Sequence, residues 1–170
     1  MKSNIIEFEK FKIKIAQDVF FPRDDIEIFP RVLKNLIKIN CKILELGTGT
    51  GAISIALAKN FDNIKIIATD INASALRIAK ENASLNKVEK IIDFKESNWF
   101  SNIEESKFDF IVSNPPYLSK KNSTYYTELT DPENSLYAKN NGLDDIYKIF
   151  QLGVNYLNKD SYIIIEHSHN

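Results

Sequence analysis

The chain has 170 residues, 44% of them hydrophobic, which is enough for one domain with an ordinary core. Its 22 basic and 23 acidic side chains leave a net charge of −1, so it carries no electrostatic footprint for nucleic acid. The single cysteine excludes an internal disulfide, no stretch is long and apolar enough to span a membrane, and the N-terminus lacks a signal-peptide apolar region. A cytoplasmic location is the expectation.

The first elements are short. Ile5-Ile6-Glu7-Phe8 and Phe11-Lys12-Ile13-Lys14-Ile15 alternate like a small hairpin. Val19-Phe20-Phe21-Pro22-Arg23 follows. A helix then begins at Asp24-Asp25, acidic at its start as the macrodipole prefers. Residues 1–40 therefore lead into a domain spanning 41–170. Lys10, Lys12, Lys14 and Lys120-Lys121 read as solvated surface, with a local basic patch as the alternative.

Strands and helices alternate after Cys41, itself a small core residue at the start of a strand. Strands are expected near 42–46, 64–69, 91–95, 108–113 and 161–166. Helices are expected near 51–60, 72–84 and 143–157. This alternation predicts a parallel, doubly wound α/β sheet whose ligands bind beyond the carboxyl ends of the strands.

Three of those strand ends carry chemistry. The first runs into Gly47-Thr48-Gly49-Thr50-Gly51, where glycines permit positive φ and close approach of a ligand to the backbone. The second ends at Asp70. A carboxylate about twenty residues beyond the first glycine can accept both hydroxyls of a ribose, or it can cap the helix at 72–84. The fourth runs into Asn114-Pro115-Pro116-Tyr117. Two prolines cannot continue a ladder, so the chain leaves the sheet at Asn114 with its carbonyls free. Rigid oxygens beside an aromatic ring suit a planar NH2 group; a Pro-rich loop is the bland alternative. His167 and His169, the only histidines, lack the partners of a metal site, and no metal is expected.

These motifs resemble class I S-adenosylmethionine-dependent methyltransferases, and among them the HemK/PrmC-type protein glutamine methyltransferases. The resemblance runs from about Phe20 to Glu166. It rests on Glu45-Leu46-Gly47-Thr48-Gly49-Thr50-Gly51-Ala52-Ile53, Asp70-Ile71, Ala75-Leu76, Ala79 and Asn82-Ala83. It continues through Asn98-Trp99-Phe100, Phe108 to Tyr117, Asp131-Pro132 and Asn141-Gly142-Leu143-Asp144. It implies a Rossmann-like fold with S-adenosylmethionine as methyl donor and S-adenosylhomocysteine as product. Glu45, Gly47, Thr48, Gly49, Thr50, Gly51, Asp70, Trp99 and Asn114 would hold the cofactor. Asn114, Pro115, Pro116 and Tyr117 would grip the acceptor, with Asn114, Pro115 and Tyr117 catalytic.

Each role has an ordinary counterpart. Glu45 could balance charge on the amino-acid part of the cofactor, or satisfy local N–H groups at a strand end. Trp99 could cover the adenine, or be a half-buried loop aromatic. Phe21 and Arg23 could close over the cofactor, or serve in core packing and a surface ion pair. Family members follow their Pro-Arg with Pro-Glu-Thr, where this chain has Asp24-Asp25-Ile26.

The resemblance also implies features not seen in these 170 residues. The usual N-terminal helical substrate domain and the final strands are not expected within them, which fits either a piece of a longer chain or a partner chain in their place. The strand at 161–166 would then be an exposed apolar edge, which a partner chain could cover. The expected function is methylation of a glutamine amide in a protein, a peptide chain release factor. Recognition would involve the loop Leu118 to Tyr137, with Tyr125, Tyr126 and Glu128. One alternative is methylation of an exocyclic amine of DNA or RNA after base flipping, disfavoured by the charge balance. Another is an inactive cofactor-binding module that works with a partner chain.

Overall fold

The computed structural model describes residues 5–15, 19–104, 107–116 and 143–167. The chain runs β1 (Ile5–Glu7), β2 (Lys12–Lys14), α1 (Ile28–Leu33), β3 (Lys42–Leu46), α2 (Ala52–Asn60) and β4 (Lys65–Asp70). It continues α3 (Ala73–Leu85), β5 (Ile92–Glu96), β6 (Phe108–Ser113), α4 (Asp144–Gly153) and β7 (Leu157–Ile165). β1 and β2 form an antiparallel hairpin. The other five strands form one parallel sheet in the order β5-β4-β3-β6-β7.

β3 is the central strand, buried at every position after Lys42. A parallel strand covered on both faces reads as a near-continuous apolar run, and Ile43-Leu44-Glu45-Leu46 departs from that only at Glu45. Its alternate side chains feed two cores. Ile43 joins Phe110, Val112, Ile55, Leu57, Phe29 and Ile13 on one face. Leu44 and Leu46 join Phe100, Phe108, Ile111 and Ile149 on the other. The chain winds outward to β4 and β5 on one side of β3, and to β6 and β7 on the other. The strand order thus reverses between β3 and β6, the place where open α/β sheets leave a crevice for a ligand.

The elements fall where periodicity puts them, with differences at the ends. Asp24–Glu27 is a 3-10 turn, and α1 begins only at Ile28. Pro30 lies in its first turn, where a missing N–H is tolerated. α4 stops at Gly153, and Val154–Tyr156 continues as a 3-10 turn. A Cβ on Gly153 would stand 2.9 Å from Ile163 Cδ1 and 3.3 Å from Ile111 Cδ1, so glycine lets the helix close onto the sheet without displacing these side-chain ends.

β7 starts at Leu157 rather than near residue 161. Leu157 pairs with Phe108, but pairing resumes only at Tyr162 opposite Phe110. The polar residues between them bulge, with Asp160 at φ 57°, and give no strand period to read. β7 pairs with β6 alone among the described residues, and Tyr162 on it is exposed. Cys41 is buried and accepts the Lys38 N–H at 3.0 Å, and burial pushes its thiol up, as suits a core residue. Among the described residues no helix is long and apolar enough to cross a membrane.

Candidate cofactor and acceptor site

The register of the sheet assembles the site. Leu46 on β3 is level with Thr69 on β4 and Ser113 on β6. Asp70 is level with Glu96 on β5. The residues just beyond these positions are Gly47, Asp70 itself, Ser97 to Trp99, and Asn114. Neighbouring strands lie about 4.8 Å apart, so all four segments share one edge. Two hydroxyls close the end of β3 where its chain leaves the ladder. Thr69 Oγ1 donates to the Glu45 carbonyl at 3.0 Å, and Ser113 Oγ donates to the Leu46 carbonyl at 2.7 Å.

The turn after β3 is a Gly-rich loop with its alternate residues left-handed: Gly47 at φ 71°, Gly49 at 55° and Gly51 at 82°. Gly51 has a second constraint, since a Cβ there would meet the Ala79 Cβ of α3 at 3.1 Å. The loop is pinned to β4. Thr48 N–H donates to the Thr69 carbonyl at 2.8 Å, and Gly49 N–H donates to Asp70 Oδ2 at 2.9 Å.

Asp70 is not the cap of α3. That role belongs to Asn72, whose side chain accepts the Ser74 N–H at 2.9 Å. Asp70 Oδ1 accepts the Asn72 N–H at 2.8 Å. A carboxylate offers about four acceptor positions, and the neighbouring N–H groups do not fill them all. Burial raises the Asp70 carboxyl, while hydrogen bonds from Asn72, Gly49 and Ile71 pull the other way.

Glu45 is fully buried beneath the loop. Its Oε2 accepts from Thr48 Oγ1 at 2.9 Å, from Ser54 N at 3.2 Å, and from Ser54 Oγ. The local-satisfaction reading of Glu45 therefore holds for one oxygen. Oε1 is buried with no hydrogen-bond partner. Burial pushes the carboxyl up to about 7, with the Ser54 and Thr48 hydrogen bonds opposing.

Trp99 is half-buried at φ 53°. Its ring edge at Cζ3 lies 3.9 Å from where a Gly47 Cβ would be. Ser97 holds the turn, donating to the Trp99 carbonyl at 2.8 Å and accepting the Asn102 N–H at 3.0 Å. The Trp99 indole N–H acts on the Asp145 carboxyl at the start of α4, lowering it against the larger effect of burial. Phe21 is exposed rather than part of the core, and the Arg23 guanidinium lies 5.6 Å from the Phe20 ring centroid.

Asn114 is half-buried and Pro115 buried at the end of β6. Tyr117, the loop Leu118 to Tyr137, Asp131-Pro132 and Asn141-Gly142 lie outside the described residues. Sequence reasoning did not assign roles to Ser97, Thr69, Ser113 and Asp145. The hydroxyls immediately before Asp70 and Asn114 are the one signal that could have flagged Thr69 and Ser113.

A parallel sheet in this order, with a Gly-rich turn after its central strand and an acid after the next, defines the Rossmann-like fold of class I methyltransferases. A methyltransferase from Pyrococcus furiosus superposes with a TM-score of 0.69 at 21% identity, over 94% of this chain and 71% of that one. The chain belongs to the methyltransferase small domain family, whose model matches residues 12–130. The release factor glutamine methyltransferase of Buchnera aphidicola (subsp. Acyrthosiphon pisum) is 41% identical over 164 residues, covering 95% of this chain and 58% of that protein. The release factor glutamine methyltransferase of Aliivibrio fischeri is 36% identical over 166 residues, again 95% and 58%. The chain thus spans under two thirds of the length of these relatives.

Proposed function

We propose that this chain transfers a methyl group from S-adenosylmethionine to the side-chain amide nitrogen of a glutamine in a protein, a peptide chain release factor. One observation carries the reading. Leu46 and Ser113 are paired neighbours, so the Gly-rich turn and Asn114-Pro115 leave the sheet side by side, donor loop against acceptor clamp.

The residues fit the cofactor. When bound, it supplies an electrophilic methyl group on a positively charged sulfur. The cradle of left-handed glycines brings bare backbone to it. Glu45 Oε1, buried and unpartnered, suits a cationic ammonium group. The Asp70 carboxylate suits a ribose hydroxyl, and the flat face of Trp99 suits adenine. The relatives' names supply the substrate class.

An amide nitrogen is a weak nucleophile because its lone pair is delocalised into the carbonyl. The Asn114 side-chain oxygen and the Pro115 carbonyl would each accept one N–H of the target. That turns the nitrogen lone pair toward the Gly-loop side and favours a pyramidal nitrogen. Preorganised acceptors of this kind need no reorganisation as charge develops. Tyr117 takes the stacking role that the resemblance gives it. The proton becomes acidic only as positive charge forms on nitrogen, so no histidine base is required.

The test is transfer of radiolabelled methyl groups onto purified release factor, tRNA, rRNA and DNA in parallel. Label on a glutamine of the release factor alone is the expected result. Label on nucleic acid alone would replace this reading with methylation of an exocyclic base amine. Cofactor binding with no label on any acceptor would leave an inactive module.

A further inference from the structure

The hairpin β1–β2 is held on α3 by two asparagines one helical turn apart. Asn86 accepts the Lys12 N–H at 2.9 Å and donates to the Lys12 carbonyl at 2.7 Å. Asn82 accepts the Lys14 N–H at 2.8 Å and donates to the Lys14 carbonyl at 2.9 Å. Side-chain amides here take the place of a neighbouring strand. The spacing permits it: two strand residues span about 6.6 Å and four helical residues about 6 Å.

The two amides differ in their last N–H. Asn86 Nδ2 donates back to the Asn82 carbonyl at 2.8 Å, inside its own helix. Asn82 Nδ2 donates to the Thr50 carbonyl at 2.9 Å, in the Gly-rich turn. Asn82 is fully buried, and every polar hydrogen of its amide is used. The segment after the hairpin reaches the same place. Val19 packs with Ala75 and Ile78 of α3, and its Cγ1 stands 3.9 Å from where a Gly49 Cβ would be.

We propose that Asn82 is a positioning residue for the cofactor loop, coupling the seating of the N-terminal hairpin to the orientation of the Thr50–Gly51 peptide. The inference rests on the reading of Gly47 to Gly51 as the cofactor loop. Through Asn82 the hairpin becomes part of the cofactor site without touching the ligand. Coupling of this kind is reciprocal: a seated hairpin favours the ligand, and the ligand favours a seated hairpin.

Asn82→Ala and Asn86→Ala remove the same kind of hairpin bonds, but only the first frees the Thr50 carbonyl. We expect the dissociation constant for S-adenosylhomocysteine to rise at least tenfold in Asn82→Ala and less than twofold in Asn86→Ala. With release factor as acceptor, Asn82→Ala should raise the cofactor KM and spare kcat. The wild-type chain gives a second measurement that does not depend on a variant folding. Saturating S-adenosylhomocysteine should slow hydrogen exchange of the Lys14 amide at least tenfold. Equal affinity in the two variants, or Lys14 exchange indifferent to a ligand that does bind, overturns the role of Asn82. A wild-type chain that does not bind S-adenosylhomocysteine overturns the cofactor reading itself.

Discussion

The Asp70 carboxylate and the Gly49 N–H are 2.9 Å apart, one at the end of β4 and the other in the turn after β3. This bond makes Asp70 both a wall of the proposed ribose site and a tether for the loop that faces it. Asp70→Ala therefore removes the ribose acceptors and loosens the Gly-rich turn together. Hydrogen bonds to a charged group contribute about 1.5–3 kcal/mol each, and each 1.4 kcal/mol is about tenfold in affinity. Affinity for S-adenosylhomocysteine should fall at least tenfold in calorimetry, and unchanged affinity would sink the assignment.

In the proposed reaction Asn114 acts on the other partner. It follows the last paired residue of β6 and leads into Pro115, and in that reaction its side chain binds the acceptor. An interaction made mainly in the transition state lowers turnover and leaves ground-state binding in place. Asn114→Ala should abolish methyl transfer while changing cofactor affinity by less than about threefold. Near-normal turnover in that variant would reduce Asn114-Pro115-Pro116 to a structural exit from the strand.

Much of this was legible in the chain because the central strands are covered on both faces. Ile43 to Leu46 and Phe108 to Val112 read as mainly apolar runs, interrupted at Glu45 and Asp109, and the Gly-rich turn and Asn114-Pro115 that follow mark their exits. What could not be read depends on contacts between distant segments. Asn72 rather than Asp70 caps α3, since both residue types suit the position and only the backbone path chooses between them. The partners of Lys12 and Lys14 lie on α3 and its C-cap, at sequence separations of 74 and 68 residues. Leu157 joins its strand across a polar bulge whose period is lost. Trp99 and Asp145 meet only because the sheet order sets α4 beside the loop after β5.

Glu45 gives a prediction with a definite sign. Burial raises its carboxyl from 4.5 to about 7, so the fold favours the protonated form. That contribution is fully present below 4.5 and is lost as pH rises through about 7. The Glu45→Gln variant keeps a neutral group at all these pH values. Its melting temperature should therefore gain on the wild type as pH rises from 4.5 to beyond 7. A constant difference across that range would show that Glu45 does not change its charge there. A cationic ligand beside Oε1 favours the carboxylate, so binding of S-adenosylmethionine near neutral pH should release protons. Calorimetry in buffers of different ionisation enthalpy reads that release directly.

Trp99 is the only tryptophan in the chain, so its emission reports on this site alone. Its indole N–H bears on the Asp145 carboxyl, and its ring edge faces Gly47. A ligand with a flat aromatic base entering beside Gly47 should change that emission in a saturable way. Burial raises the Asp145 carboxyl, with Lys148 and the Trp99 hydrogen bond opposing. Protonation on acidification weakens Asp145 as an acceptor, so the emission should titrate above the ordinary aspartate range. Asp145→Ala should remove that titration. It should also weaken S-adenosylhomocysteine binding by roughly two- to tenfold, the scale of one hydrogen bond of about 0.5–1.5 kcal/mol. Asp145→Asn keeps an oxygen facing the indole and should restore most of the affinity without the titration. Emission that responds neither to the ligand nor to the loss of Asp145 would remove Trp99 from the cofactor wall and leave it a loop aromatic packed beside Phe100.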